Sequence, residues 1–191
     1  MGVYLNHQTN ATIKNCSFNN FGDGIYSYYG SFTAKDNTFE NNAEGGIDAR
    51  YENNLSIEGN HFTNNTTYGV YLNGINDCNM LSNVFSGNQW GIYLSNSTNI
   101  SANYNSVRNG TYGFLTTNSA YTANNNDITD NIVNIRSTWN TADPVDPDIT
   151  INYWGTTVCS EIESKLQGVG INLNYEPFLD SSSDNQIYCT Q

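Results

Sequence analysis

Short runs in which apolar and polar residues alternate cover most of this chain, and an Asn interrupts them about every five residues. The pattern apolar-x-x-Asn-x-apolar-x-x-Asn is clearest in residues 57–65, 80–88 and 123–131. These runs are too short for the apolar stripe of a helix, which recurs every three to four residues over roughly ten or more positions. They predict brief β-strands joined by tight turns.

A Gly recurs at nearly fixed intervals along the same stretch. The intervals are 22, 22, 23, 22 and 22 residues, and the positions are Gly2, Gly24, Gly46, Gly69, Gly91 and Gly113. A seventh, degenerate copy of the repeat starts at Asn134. A single coil of this length is too small to bury its own apolar face, so repeats of about 22 residues stack into a solenoid.

Coils of this length with three short strands resemble the right-handed parallel β-helix family over residues 2–157. The most specific match is Asn152-Tyr153-Trp154-Gly155, which is followed by a segment that predicts a short polar helix and by the Tyr-Glu-Pro-Phe-Leu of residues 175–179. This ending is similar to the closing cap of extracytoplasmic, carbohydrate-associated members of the family.

The resemblance implies an all-β fold, a right-handed parallel β-helix solenoid of about seven coils in residues 1–157. Residues 158–191 are expected to form a C-terminal cap and tail of the same domain.

Equivalent residues of successive coils align in columns. Three apolar columns predict a continuous core: Val3, Ile25, Ile47, Val70, Ile92, Phe114 and Ile135; Leu5, Ser27, Ala49, Leu72, Leu94, Thr116 and Ser137; and Phe18, Phe39, Phe62, Phe85, Val107, Ile128 and Trp154. Two turn columns predict amide ladders: Asn37, Asn60, Asn83, Asn105, Asn126 and Asn152; and Asn42, Asn65, Asn88 and Asn131. We interpret these Asn as structural, because Asn tolerates sharp turns and its amide can bond to the coils above and below.

The balance of charge narrows the classes of partner. The net charge is −12 with six Lys plus Arg, which disfavours nucleic acid and anionic membranes because few cations could neutralise phosphates. It also disfavours a polyuronate as the preferred ligand. No apolar run is long enough to predict insertion into a membrane.

Met1 stands directly before the first Gly column without a signal-peptide pattern, whereas a natural β-helix usually covers its first coil. We therefore expect a monomeric module of a larger secreted or cell-surface protein, covalently linked to catalytic or surface domains.

The four Cys fall into two groups. Cys16 and Cys78 lie three coils apart, about 14 Å at the usual strand spacing, which exceeds the reach of a disulfide. Their columns predict two free, buried core residues. Cys159 and Cys189 flank the expected cap, and a disulfide between them would hold the tail and fit an oxidising compartment.

The strand after each Gly carries an outward row of aromatic residues, which is the candidate binding site. Its members are Tyr4, Tyr26, Asp48, Tyr71 and Tyr93 two residues after the Gly, Tyr68, Trp90 and Tyr112 just before it, and Tyr28, Arg50 and Asn73 further along. His7, Tyr29 and Tyr51 follow these. Because Gly has no side chain, we expect an open shelf between the rings on its two sides.

Exposed rings that repeat in every coil, with Asn, Asp and Arg between them, suit pyranose stacking and hydroxyl recognition. The sequence therefore predicts a non-catalytic carbohydrate-binding module for a neutral plant-type polysaccharide, xylan or another β-glycan. Two other interpretations stay open: the Tyr residues could serve only as strand formers and cross-strand pairs, or the solenoid could be an adhesin-like spacer.

A polysaccharide lyase or glycoside hydrolase is the main alternative, because many β-helix proteins have such activities. Hydrolysis needs two carboxyl groups on one face, and the Asn-Thr-Asp, Asp-Asp, Gly-His-Gly and Arg-Ile-Lys signatures of galacturonan hydrolases are absent. A lyase needs a Ca²⁺-binding acid cluster beside an Arg or Lys, which only Glu44, Asp48, Arg50 and Glu52 approach. We interpret Asp48 and Arg50 as a salt bridge, and ligand contact stays open.

We expect neither a metal nor a cofactor. The two His residues, His7 and His61, belong to different columns, and a copper site would need more soft and imidazole ligands. Asp143, Asp146 and Asp148 lie in a Pro-containing segment without the spacing of an EF-hand. A solvated loop is the favoured interpretation, with calcium binding the alternative.

Overall fold

A computed structural model of the chain describes residues 1–180 and 185–189, and its regular structure there is almost entirely β-strand. In chain order the strands are β1 (Val3–Asn6), β2 (Ala11–Lys14), β3 (Ser17–Asn19), β4 (Asp23–Tyr28), β5 (Phe32–Lys35), β6 (Thr38–Glu40), β7 (Gly45–Arg50), β8 (Asn53–Glu58), β9 (His61–Thr63), β10 (Tyr68–Asn73), β11 (Asn76–Leu81), β12 (Val84–Ser86), β13 (Trp90–Ser95), β14 (Thr98–Asn103), β15 (Ser106–Arg108), β16 (Tyr112–Thr117), β17 (Tyr121–Asn124), β18 (Asp127–Thr129), β19 (Val133–Thr138), β20 (Leu166–Val169), β21 (Phe178–Leu179) and β22 (Gln186–Ile187). One helix, α1 (Cys159–Ser164), lies between β19 and β20.

Strands β1 to β19 wind into a solenoid with three parallel sheets. Sheet A contains β1, β4, β7, β10, β13, β16, β19 and β20; sheet B contains β2, β5, β8, β11, β14 and β17; sheet C contains β3, β6, β9, β12, β15 and β18. Each strand pairs with the equivalent strand of the next coil, as Phe18 with Phe39 shows. Six coils have all three strands, and a seventh continues from β19 through single bridges at Asp148 and Tyr153. The predicted parallel β-solenoid is confirmed, with six complete coils.

The three predicted apolar columns lie in the interior, together with the inward residues of sheet B, among them Phe32, Leu55, Ile57, Met80 and Ile100. Phe18, Phe39, Phe62 and Phe85 stack with centroid distances of 4.9, 4.8 and 4.7 Å, which follow the spacing of the coils. The column from Ile25 to Ile135 is fully buried on the inner side of sheet A. The core is therefore a continuous rod rather than a compact cluster.

The Gly column lies at the corner between sheets C and A, with its Cα atoms against the Phe stack. A Cβ on Gly46 would overlap the ring of Phe62 and lie 2.7 Å from the carbonyl oxygen of Gly69. Only Gly fits this corner because the neighbouring ring fills the space of a side chain. The expected open shelf beside the column is therefore wrong.

Both Asn columns form the predicted amide ladders. Asn83 illustrates the pattern: its Oδ1 accepts from the backbone N–H and Nδ2 of Asn60, and its Nδ2 donates to the Ile57 carbonyl and to Asn105 Oδ1. The side chain is buried, so water does not replace these bonds. The amide of Asn83 therefore ties together three consecutive coils.

The C-terminal segment closes the solenoid as the sequence predicted. Strand β20 extends sheet A beyond β19 in parallel register, and the side chains of Ile162 and Phe178 are buried. The disulfide between Cys159 and Cys189 is confirmed, with a Cα–Cα distance of 5.9 Å. Residues 181–184, 190 and 191 of the predicted tail lie outside the described residues.

One Cys prediction is wrong. Cys78 is buried as expected, and burial raises the pKa of its thiol, but Cys16 is exposed. Cys16 takes the place of Asn in the first coil, where a side chain in this column would reach towards a preceding coil. Its thiol donates to the Lys14 carbonyl oxygen of its own coil instead.

Replacing Asn83 with Ala should destabilise the fold, because buried partners in three coils lose their hydrogen bonds. We expect a loss of about 3 kcal/mol in the free energy of unfolding, within the range for leaving buried polar groups unsatisfied. The matched control is Asn79→Ala, an exposed Asn of the same coil. Urea denaturation of both variants tests this, and equal midpoints would contradict the structural role of the ladder.

The thiols give a second test of the fold. We expect one reactive thiol in the native protein, from Cys16, and two after denaturation without reductant, when Cys78 also becomes accessible. Thiol titration with a chromogenic disulfide reagent measures both numbers. Four thiols in the denatured, unreduced protein would exclude the disulfide.

Candidate functional site

Three columns of sheet A carry the predicted site residues. The central column is Tyr4, Tyr26, Asp48, Tyr71, Tyr93, Leu115 and Arg136; the leading column is Asp23, Gly45, Tyr68, Trp90, Tyr112 and Val133; the trailing column is Asn6, Tyr28, Arg50, Asn73, Ser95 and Thr117. The strand pairing places these residues in register, so the structure brings all the predicted site residues onto one face.

The central column is a stack of rings with one charged interruption. The centroids of Tyr4 and Tyr26 are 5.7 Å apart, and those of Tyr71 and Tyr93 are 4.7 Å apart. Between the two pairs stands Asp48, whose side chain cannot stack. The guanidinium carbon of Arg50 fills this gap, 5.5 Å from the Tyr26 centroid and 5.6 Å from that of Tyr71.

Asp48 holds that guanidinium in place. Arg50 Nε donates to Asp48 Oδ1 at 2.9 Å and Nη2 donates to Oδ2 at 2.8 Å, the two-point geometry typical of a strong Arg–carboxylate pair. These bonds raise the pKa of Arg50 above its already high value. The predicted salt bridge is confirmed, and it makes the stack continuous from Tyr4 to Tyr93.

The stacking determines which part of each ring is accessible. Tyr71 has Tyr93 on one side and the Arg50 guanidinium on the other, so neighbours cover both faces of its ring. The expectation of open planar faces along the row is therefore wrong for the middle of the stack. The stacked rings present their edges to the solvent, while Tyr4 is exposed at the end of the row.

Two predicted site residues are buried. Tyr68 is 7% exposed because Gly45, one coil earlier in its column, has no side chain, and the Tyr68 ring lies over that Gly. Its hydroxyl oxygen lies 2.9 Å from Asp23 Oδ1 and 3.4 Å from Asp48 Oδ2. Asp48 is 1% exposed. Both residues support the face from below rather than forming its surface.

Burial changes the electrostatics of this network. The pKa of Asp23 is raised to about 6, chiefly by desolvation, while the hydrogen bond from Tyr68 opposes the rise and the charges of Asp48 and Glu44 add to it. Desolvation also raises the pKa of the Tyr68 hydroxyl. Near neutral pH the network therefore contains a carboxyl group that is close to accepting a proton.

The later coils continue the face with different contacts. The ring of Trp90 meets that of Tyr93 edge-on at 5.1 Å. Arg136 donates from Nη1 to the Tyr112 hydroxyl at 3.3 Å, and its guanidinium lies 5.9 Å from that ring. A cation thus accompanies the aromatic residues in the middle of the face, at Arg50, and again in its last coils, at Arg136.

The structure adds an aromatic cluster that the predicted site omitted. His7, Tyr29 and Tyr51 occupy the turn after the trailing column, and Tyr28 contacts the rings of Tyr29 and Tyr51 at 4.3 and 5.6 Å. The alignment of these residues in one column was visible in the sequence. Their contact with Tyr28 depends on the direction of the turn, which the repeat does not specify.

Asp146 and Asp148, in the loop before the cap, are engaged within the protein. Asp146 accepts from the backbone and side-chain amides of Asn172, and Asp148 accepts from Thr150 and Asn124. Hydrogen bonds to Asn172 lower the pKa of Asp146. The chain's own donors use both carboxylates, which favours the structural interpretation of this loop.

Asp23 predicts a specific pH dependence. Because its pKa is higher in the folded protein than its usual value near 4, the folded state binds more protons between about pH 4 and 6, and stability falls as the pH rises through that window. Asp23→Asn removes the carboxyl group that loses its proton, and with it this loss of stability. The amide oxygen of the new residue can still accept a hydrogen bond from the Tyr68 hydroxyl. We expect the variant to be more stable at pH 7, by up to about 3 kcal/mol, and similar at pH 4.

Urea unfolding of both proteins at the two pH values measures this difference. Glu52, whose pKa is also raised by burial, is common to both and cancels in the comparison. A variant that differs from the unmodified protein equally at pH 4 and pH 7 would contradict the raised pKa.

The solenoid is similar to other known β-helices. The A-module of mannuronan C-5 epimerase AlgE6 from Azotobacter vinelandii has a TM-score of 0.54 and 15% identity, over 91% of this chain and 57% of that chain. The enzymatically active domain of bacteriophage CBA120 tailspike protein 2 has a TM-score of 0.50 and 12% identity, over 83% of this chain and 28% of that chain. The chain thus spans 28% to 57% of these structures, and the likeness is one of fold.

Among the residues described, no helix has the length and apolar character needed to cross a membrane. No match to the chain is found among curated protein sequences. A family model, described as a right-handed β-helix region, matches residues 1–143. This match confirms the resemblance drawn from the repeat, and the chain belongs to the right-handed β-helix family.

Proposed function

We propose that this domain is a non-catalytic polysaccharide-binding module whose ligand lies along sheet A, parallel to the solenoid axis. The ligand class is a neutral β-glycan such as xylan or a glucan. The module acts as a monomer within a larger secreted or cell-surface protein.

The distribution of aromatic residues over the three sheets carries this proposal. Sheet A has rings in all three outward columns. Five outward columns of sheets B and C contain no Tyr, Trp or Phe: Asn53, Asn76 and Thr98; Thr12, Thr33, Ser56, Asn79, Ser101 and Thr122; Lys14, Lys35, Glu58, Leu81, Asn103 and Asn124; Ser17, Thr38, His61, Val84, Ser106 and Asp127; Asn19, Glu40, Thr63, Ser86, Arg108 and Thr129. If Tyr served only as a strand former, all three sheets would share it. An exposed aromatic patch confined to one face is typical of a binding surface.

The contacts on this face suit hydroxyl-rich ligands. Ring edges and phenol hydroxyls repeat along the stack from Tyr4 to Tyr93, with the Arg50 guanidinium among them. Phenols both donate and accept hydrogen bonds, and the guanidinium donates, so together they can match sugar hydroxyls at about one coil per residue. The net charge of −12 favours a neutral ligand over a polyanion.

The similar folds agree with a role in glycan recognition. The name of the AlgE6 module describes a protein that acts on mannuronan, a polysaccharide, and that of the tailspike domain describes an enzyme. Mannuronan is a polyuronate, and the negative charge of this chain disfavours such a ligand. We therefore extend to this chain only the broader ligand class, polysaccharides.

A glycoside hydrolase is the second candidate function, because Asp23 has a pKa of about 6, which suits a general acid. Accessibility weighs against it. Asp23 is 7% exposed beneath Tyr68, and the buried Asp48 is bonded to Arg50. Neither carboxyl group is free to reach a glycosidic oxygen in this conformation, and the proposed function is therefore binding without cleavage.

Binding is tested with Tyr93→Ala. We expect the unmodified domain to bind xylan or β-glucan in affinity electrophoresis, and the variant to lose about 1 kcal/mol of binding free energy, the net contribution typical of one hydrogen bond. Tyr104→Ala is the control, because Tyr104 is exposed at a turn between sheets B and C. Equal affinities of the two variants would contradict binding along sheet A.

Catalysis is tested separately by incubating the unmodified domain with the same polysaccharides. We expect no reducing ends and no unsaturated sugars. Product that accumulates with the unmodified domain and disappears with Asp23→Asn would replace the binding module with a hydrolase if the product is saturated, and with a lyase if it is unsaturated.

A further inference from the structure

An aromatic cluster at the edge of sheet A has no role in the stack described above. We define the aromatic corner as His7, Tyr29 and Tyr51, together with Tyr28 of the trailing column. We propose that this corner binds a sugar branch of a polysaccharide whose main chain lies on sheet A. The inference rests on the proposed function and specifies the class of polysaccharide.

The backbone of the corner is the first observation. His7, Tyr29 and Tyr51 have φ angles of 52°, 54° and 55°, in the left-handed region that disfavours bulky side chains. The same turn in the next coils is made by Gly74, Asn96 and Asn118. Those residues adopt the conformation at little or no cost. Three successive aromatic residues thus occupy a turn that Asn or Gly would form with less strain.

Backbone strain that Gly or Asn would relieve at the same position points to a functional role for the residue that is present. The contacts of the rings show how the cluster is held. His7 and Tyr29 have centroids 5.3 Å apart, Tyr29 and Tyr51 also 5.3 Å, and Tyr28 meets Tyr29 edge-on. The structure therefore orders the rings with respect to one another.

Gly74 shapes the upper end of the corner. A Cβ at this position would lie 2.8 Å from Cδ1 of Tyr51, so any other residue would displace that ring. With Gly74 in place the Tyr51 ring fits against the turn, and Tyr51 as a residue is 46% exposed, close to the 44% of Tyr29. The turn thus accommodates the rings and leaves them accessible.

The position of the corner identifies its occupant. Tyr28 ends β4 about 7 Å along the strand from Tyr26 of the central column, at about 3.3 Å per strand residue, and Tyr29 lies in the turn beyond it. A linear chain that follows the stack would not reach it. A branch of one or two sugars from that chain would.

The chemistry around the corner also suits a sugar. The rings adjoin Asn6, Asn73 and Arg50 of the trailing column, so hydrogen-bonding groups border the apolar surface. Continuity with the face of sheet A through Tyr28 favours one ligand that spans both surfaces. A protein partner or a second copy of this chain is tested as an alternative below.

The experiment compares linear and branched ligands with the same main chain. The probes are a cello-oligosaccharide and a xyloglucan oligosaccharide, and a xylo-oligosaccharide and its arabinose-branched counterpart, measured by calorimetry. We expect the unmodified domain to prefer the branched member of a pair. Tyr29→Asn and Tyr51→Asn should lose about threefold to tenfold in affinity for it, the range for one lost hydrogen bond to a phenol hydroxyl, and keep the affinity for the linear one.

Stability separates this role from a structural one. Because Asn tolerates the turn, we expect the melting temperatures of both variants to stay unchanged or rise. Tyr104→Asn is the matched control, since Tyr104 has a φ of 57° and 62% exposure at a turn away from sheet A. Tyr104→Asn should change the melting temperature as little as the two corner variants do. It should leave the affinities for the linear and the branched ligand unchanged.

Three other outcomes would overturn the role of the corner, both proposals together, or the choice of a sugar as the occupant. Unchanged preference for the branched ligand in both corner variants would overturn the role of the corner and leave the proposed function intact. Absence of binding to all four probes would overturn both proposals. A dimer in sedimentation that Tyr51→Asn converts to a monomer would assign the corner to self-association instead.

Discussion

Each strand of the solenoid pairs in parallel and in register with the equivalent strand of the next coil. Every side chain therefore lies next to the equivalent side chains of the coils before and after it. A residue is therefore favoured in an interior column when it can pack against, or hydrogen-bond to, the residues at the same position in the neighbouring coils. Phe rings stacked 4.7 to 4.9 Å apart satisfy this requirement, and so do amides that both donate and accept. An interior charge has no such repeating partner. The buried carboxyl group of Glu52 is an exception, and it accepts a hydrogen bond from the Ser27 hydroxyl.

The same constraint acts on the outer surface of sheet A. Aromatic rings at the coil spacing stack on one another, and Asp48 would interrupt that stack. Arg50 restores it, because a planar guanidinium can lie between the rings of Tyr26 and Tyr71. The Asp48–Arg50 pair is thus a replacement for one ring. It also introduces a cation with hydrogen-bond donors into a row that otherwise offers phenols.

The period of the Gly and Asn residues was sufficient to predict the parallel solenoid, its columns and the inner or outer side of most residues. It was not sufficient where a residue in a neighbouring coil determined the outcome. Tyr68 is buried because Gly45 leaves room for its ring, and Cys16 is exposed because of its place in the first coil. The direction of the ring planes was also beyond the sequence. A column assigns neighbours, whereas the torsion angles of Tyr71 decide whether its faces or its edges meet the solvent.

Departures from the stabilising residue of a column are the functional signal in a repeat protein, because regular repetition is already explained by the fold. In this chain the departures on sheet A converge. Asp48 and Arg50 break the ring column, Tyr68 lies over the Gly of the preceding coil, and Tyr29 and Tyr51 strain a turn that later coils make with Gly or Asn. These five residues lie in the first four coils. In the later coils the central column changes to Leu115 and Arg136, and the trailing and turn columns contain Ser, Thr and Asn. Stability alone would not concentrate these substitutions on one side of one sheet. A ligand that contacts the N-terminal half of sheet A and its edge accounts for their common location.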